Sequence, residues 1–154
     1  MKNEDRVPFY RGQRLEGGIR TAVEAWCTDR DAAKLQYGPI ASWNTSEITN
    51  MRYLFYRKAG FNEDISRWDV SNVTSLYGTF WRATSFNGDL SRWDVSNVTS
   101  LYATFAHATS FNGDLSRWDV SNVTHMRYMF YGATSFNQRL GGLWSDSTAF
   151  QTDM

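Results

Sequence analysis

The chain has little to tie it together covalently and nothing to carry it across a bilayer as a helix. Of its 154 residues only Cys27 is a cysteine, so neither an intrachain disulfide nor a cysteine-rich metal site can form. There are two prolines and no Ser/Gly-rich tract. No interdomain linker is therefore visible, and residues 1–154 read as one domain. Formal net charge is zero, which removes the basic balance expected of a nucleic-acid or anionic-membrane binder. Apolar runs are only a few residues long, too short for a transmembrane segment. The opening MKNEDRVPFYRGQR is polar and lacks the apolar stretch of a signal peptide. His107 and His125 are the two histidines. No Ser/His/Asp order, metal-ligand spacing or Gly-rich phosphate loop accompanies them, so neither an enzyme nor a cofactor is expected.

What the chain does have is aromatic residues, at 16%, and a repeat. The block FNGDLSRWDVSNVT at Phe86 recurs intact at Phe111 and nearly so at Phe61. Trp43, Trp68, Trp93 and Trp118 are each 25 residues apart, as are Phe55, Phe80, Phe105 and Phe130. Self-similarity at such a period predicts stacked coils, each burying its apolar face on its neighbours, with equivalent residues in columns.

Within one coil, Leu90, Trp93 and Val95 follow the L-x-x-L-x-L pattern of a leucine-rich-repeat strand, with Arg92 and Asp94 alternating outward. Ser96-Asn97 reads as a turn. Thr99 then suits an N-cap for a short helix whose Leu101, Phe105 and Ala108 share one apolar face. The expected fold class is thus an α/β repeat solenoid, with leucine-rich-repeat-like coils of short strand plus short helix. A coil with a 3₁₀ turn, or with no helix, is the competing picture. Residues 1–40 lack the repeat. Ile19, Val23 and Trp26 predict an amphipathic helix over 18–28, and 31–37 suits a second, together an N-terminal helical cap. The repeats occupy 41–140. Residues 141–154 form a degenerate C-terminal coil in which Trp144 arrives one position late.

The W-D-x-S-x-V-T and F-N-x-D-[IL]-S blocks resemble the BspA-like bacterial surface-protein repeat, a leucine-rich-repeat relative also found in algae and protists. The resemblance covers about residues 40–140. It implies a stacked solenoid, often surface-exposed or secreted, used for contacts with other molecules, and it implies no catalytic residues.

Two stripes are candidate sites. Around the expected helix, Arg52/Tyr56, Tyr77/Trp81, Tyr102/Ala106 and Arg127/Tyr131 sit at i, i+4, away from the inward face. Aromatics with Arg are enriched at protein interfaces, so a protein partner is expected there. The predicted function is a non-enzymatic interaction or scaffold module, an accessory subunit of a larger assembly or a surface protein. The alternative is a carbohydrate- or ion-binding adhesion module using the strand-side stripe of Arg67, Asp69, Arg92, Asp94, Arg117 and Asp119. A self-satisfying Arg–Asp lattice is the plain explanation of that stripe. The pairs Asn62/Asp64, Asn87/Asp89 and Asn112/Asp114 offer too few oxygens for calcium. The Asn72, Asn97 and Asn122 sequons belong to the repeat, and glycosylation is excluded if they bond the turns.

Overall fold

The computed structural model describes residues 15–153, with side chains for residues 18–150. Two helices open it. In α1 (Leu15–Thr28), Ile19, Ala22, Val23 and Trp26 recur at helical spacing and are all buried. Asp29 caps α2 (Arg30–Tyr37), accepting from the Ala32 N–H at 3.1 Å, and Gly38 ends it at φ 79°.

From Trp43 onward the chain stacks in coils of 25 residues. Rings of successive coils stand one above another: Phe55, Phe80, Phe105 and Phe130 with centroids 5.3, 5.4 and 5.8 Å apart, and Phe61, Phe86, Phe111 and Phe136 at 6.0 Å throughout. In the Trp column, Trp43 stacks on Trp68 at 6.2 Å and Trp93 on Trp118 at 6.5 Å. Each indole N–H finds a backbone carbonyl. Those of Trp68, Trp93 and Trp118 donate to Ile40, Ile65 and Leu90 at 2.8–3.0 Å. A buried Trp needs such a partner.

The expected strand-plus-helix coil is not what forms. Leu90, Trp93 and Val95 are buried as anticipated. They sit at turns closed by Trp93 N→Leu90 O (3.1 Å) and Val98 N→Val95 O (2.9 Å), and not in a strand. The expected helix after Thr99 is instead a run of turns. Thr104 N→Leu101 O, Ala106 N→Ala103 O and Ala108 N→Phe105 O close them at 3.0–3.2 Å. The intervening amides point along the stack. Leu101, Ala103, Phe105 and His107 donate to His125, Arg127, Met129 and Tyr131 of the next coil at 2.7–3.0 Å. The same four bonds join the coils below, from Met51, Tyr53, Phe55 and Arg57, then from Leu76, Gly78, Phe80 and Arg82. A smaller set of bonds runs the other way, Thr99 N→Thr74 O and its equivalents at 2.8 Å, joined at the last interface by His125 N→Thr99 O at 3.4 Å. The result is a one-directional ladder with isolated parallel bridges (Asn50↔Ser75↔Ser100↔His125) and, among the described residues, no sheet.

Backbone conformation explains the correction. Tyr53, Gly78, Ala103 and Tyr128 all have positive φ (52–60°), and so do Arg57, Arg82, His107 and Gly132 (54–71°). A right-handed helix cannot contain left-handed residues four apart. A chain that reverses hand this way sends alternate peptide groups into the turn and along the stack. These residues are the third of their four-residue turns, the position where a type II turn requires positive φ.

The far end carries two short helices, α3 (Gly142–Ser145) and α4 (Thr148–Asp153). Helix α3 brings the late Trp144 back onto the column, 6.4 Å from Trp118 and fully buried. Its N–H donates to Leu115 O at 2.9 Å.

Candidate functional site

The turn-rich half of each coil, residues 49–60, 74–85, 99–110 and 124–135, contains no Asp or Glu. Its charged groups are Arg52, Arg57, Lys58, Arg82 and Arg127. The other half holds the repeat's carboxylates. The coils are therefore split lengthwise into a basic side and a side of mixed charge, where the carboxylates alternate with Arg67, Arg92 and Arg117.

On the basic side the left-handed residues project outward and bring large rings together. Tyr53 lies 5.4 Å from Tyr56, 5.3 Å from Tyr77 and 6.2 Å from Trp81. Trp81 is 5.5 Å from Tyr56. Tyr77 stacks on Tyr102 at 4.6 Å, and Tyr102 meets the edge of Tyr128 at 5.7 Å. Tyr131 closes the row against Tyr128 (5.7 Å) and His107 (5.3 Å). The Arg52 guanidinium stands 4.6 Å over Tyr77, and that of Arg57 5.5 Å from Tyr56. Burial among the rings, with a hydrogen bond to Tyr53, pushes the Tyr77 phenol up.

The third coil breaks the row. Ala103 and Ala106 stand where other coils place Tyr53 and Tyr128, or Tyr56, Trp81 and Tyr131. The missing rings leave a trough of about 530 Å³ between Trp81 and Tyr102 on one side and Tyr128, Tyr131 and His107 on the other. The Trp81 indole N–H is buried and has no hydrogen-bond partner among the described residues, an arrangement that buried donors normally avoid. Tyr128 and Tyr131 remain 50% and 62% exposed, so the trough has an open, aromatic lip.

Of the sequence-predicted stripe, Tyr56, Tyr77, Trp81, Tyr102, Tyr131, Arg52 and Arg127 do lie on this side, although no helix puts them there. Tyr53, Tyr128, Arg57, Arg82 and His107 belong to the same surface and were missed, because on a helix they would point elsewhere. The available signal was glycine. Gly78 and Gly132 interrupt two columns four positions apart, and Tyr53 lies over Gly78 so closely that a Cβ there would come within 2.7 Å of its ring.

The Arg–Asp stripe is not brought together as a lattice. Among the described residues, no ion pair links Arg67, Arg92 or Arg117 to Asp69, Asp94 or Asp119. Each carboxylate accepts instead from the serine two residues on: Ser71, Ser96 and Ser121 N–H at 3.0 Å. Asp64, Asp89 and Asp114 do the same with Ser66, Ser91 and Ser116 at 2.9–3.0 Å. These serine bonds hold the Asp64, Asp89, Asp114 and Asp119 carboxyls below the usual range. The Asn62, Asn87 and Asn112 carbonyls each accept from the next Asn N–H up the stack. The Asn72, Asn97 and Asn122 amides donate to Ser46, Ser71 and Ser96 O at 2.7 Å. No cluster of His, Cys, Asp or Glu among the described residues is placed to hold a metal. No helix among them is long and apolar enough to cross a membrane.

A family model described as "Mycoplasma protein of unknown function, DUF285" matches residues 25–150. No curated protein and no solved structure matches the chain.

Proposed function

Since the chain belongs to the DUF285 family, whose description assigns no activity, we propose a function from the geometry of the aromatic side: a non-enzymatic protein-interaction module. The trough would take an apolar or aromatic side chain of the partner, and the arginine rim its carboxylates. The observation that carries this reading is the interruption at Ala103 and Ala106. At Ala106 stacking does not require so small a residue, since the coils on either side carry Trp81 and Tyr131 there. The resemblance to BspA-like surface repeats agrees with a role in contacts.

The test uses two variants in the native assembly. Trp81→Ala with Tyr102→Ala should weaken association at least tenfold, about 1.4 kcal/mol, with only a small loss of thermal stability. Ala106→Tyr fills the trough with a residue that Tyr56 and Tyr131 show the coil can hold. It should leave the fold intact and give a similar loss of association. A stability collapse in the first variant would make the rings inter-coil packing, and unchanged association in both would move the docking site elsewhere. The carbohydrate or ion alternative, on the exposed Arg67, Arg92 and Arg117 column, is weaker because the neighbouring carboxylates are engaged in their own turns.

A further inference from the structure

Arg57, Arg82, His107 and Gly132 occupy one position in successive coils, and all four have positive φ, 54–71°. Gly132 shows that glycine, which adopts this conformation freely, can hold the place. Two coils instead carry an arginine there and a third a histidine, each with the strain of a left-handed residue that has a Cβ. The turn itself gives no reason for these side chains.

Charge gives none either. Arg57 and Arg82 lie in adjacent coils, joined directly by the bond from Arg57 N–H to Trp81 O at 2.9 Å. Both side chains are exposed, and among the described residues neither forms an ion pair. Arg57 rests only against the Tyr56 ring, at 5.5 Å. The neighbouring Glu24 and Glu63 are already held by Lys58 and Arg30. The molecule's other arginine column, Arg67, Arg92 and Arg117, has carboxylates two residues on, at Asp69, Asp94 and Asp119. The half-coils of Arg57 and Arg82 have none, so like charges stack there without an internal counter-charge.

Beside these two arginines runs an open groove of about 480 Å³, lined by Arg57, Ala59, Arg82, Thr84, His107 and Thr109. We infer that this groove binds a phosphate or sulfate group, as the free ion or as an ester. Each guanidinium is a planar fork of N–H donors. A carboxylate has two oxygens and matches one fork. A tetrahedral oxyanion presents three or four and can be shared by two forks from adjacent coils. The Thr84 and Thr109 hydroxyls reach Ala59 O and Thr84 O only at 3.4 Å, beyond the usual range for a hydroxyl donor, so turning them to a ligand costs little. The column's backbone amides are all engaged: Arg57, Arg82 and His107 N–H donate to Trp81, Ala106 and Tyr131 O at 2.7–2.9 Å. The site therefore works through side chains. It shares only His107 with the aromatic trough and stands without the protein-partner reading.

Titration of the full chain with inorganic phosphate, sulfate and acetate at constant ionic strength, followed by NMR of the arginine side chains, tests the inference. Phosphate and sulfate should shift the Arg57 and Arg82 Nε–H signals saturably, and acetate should bind at least tenfold more weakly. Methyl phosphate separates the two sources: binding as tight as inorganic phosphate assigns the groove to an ester, and weaker binding to the free ion. Arg82→Gly, which suits φ 60°, and Arg57→Met, which keeps an aliphatic stem, should each weaken phosphate binding at least tenfold, about 1.4 kcal/mol, with the fold retained. Arg92→Ala, in the column that has carboxylates beside it, should leave binding unchanged. Four results would overturn the inference. They are shifts that do not saturate, acetate binding as tightly as phosphate, parental phosphate binding in both the Arg82 and Arg57 variants, and an equal loss in Arg92→Ala.

Discussion

The two ends of the stack are closed by different chemistry, and closed to different degrees. At the N-terminal end a helix lies across the first coil. Trp26 meets Trp43 edge-on at 5.8 Å, and a guanidinium meets two ladder carbonyls. At the C-terminal end Trp144 continues the column face-on with its N–H bonded, while among the described residues nothing accepts from the Tyr128, Phe130 and Gly132 N–H groups beside it. The contrast separates two requirements that a helix bundle meets together. A stack of turns must end its apolar columns and, separately, its hydrogen bonds. Among the described residues, the N-terminal end covers its Trp column and two of its outward carbonyls, whereas the C-terminal end covers its Trp column and leaves Phe130 and Phe136 partly buried.

The largest effect that could break this comparison is Trp144→Ala. It removes a fully buried ring and bares Trp118, and should cost ~3–5 kcal/mol in chemical denaturation. A loss under about 1 kcal/mol would mean that Trp144 does not close the column. Replacing each terminal Trp by Phe sharpens the contrast. Trp144→Phe removes one of the two hydrogen bonds that Leu115 O accepts, the other coming from the Trp118 N–H at 3.0 Å, whereas the Trp26 indole N–H has no hydrogen-bond partner among the described residues. The first variant should be the less stable by about 0.5–1.5 kcal/mol, and equal losses would show that the indole bond counts for nothing. Next is Arg20→Met, which keeps the aliphatic cover and removes both donors to Asn50 O and Arg52 O. A loss of about 1 kcal/mol is expected, with faster exchange confined to the first coil. An effect spread evenly over all coils would refute a local role.

The smallest effect is with pH. The Asp64, Asp89 and Asp114 carboxyls are depressed by their serine bonds, so they stabilise the fold above the ordinary aspartate value of about 3.9. That contribution fades as pH falls through their lower folded values. The fourth coil has Arg139 at this position. Acidification below about pH 4 should therefore loosen the turns at Ser66, Ser91 and Ser116 and leave the last coil's turn unchanged, readable by amide chemical shifts. Uniform loosening would count against the assignment.

Much of this was legible in the chain itself. The 25-residue columns identify Trp118, Phe105 and Phe111 as core, and the i, i+4 pattern of Ile19 and Val23 marks α1. The repeat's secondary structure is not legible in its sequence, for a specific physical reason. Leu101, Phe105 and Ala108 are spaced as on a helix, but turns of alternating hand bury the same positions, so periodicity alone cannot separate the two. Only the backbone requirement at Ala103 and His107 does. It shows in the sequence as Gly78 and Gly132, one glycine in each of two columns otherwise filled by Tyr, Arg, Ala and His. Five of the seven large rings on this side, Tyr56, Tyr77, Trp81, Tyr102 and Tyr131, are legible in the sequence, because either conformation turns them outward. Tyr53 and Tyr128 were missed because only a left-handed backbone turns them to that side.

The one-directional ladder has an electrical consequence. Each peptide group carries a dipole of about 3.5 D. At every coil interface four of these groups point their N–H toward the C-terminal end, against one at Thr74 or Thr99, and two at Thr124 and His125, that point back. Such alignment is the property that polarises an α-helix, reached here without helical backbone. The stack therefore has a negative pole, where Arg20 sits, and a positive pole at Tyr128–Gly132. An electrically neutral chain thus presents a field along its axis, and anionic groups approaching from solution are drawn to the last coil.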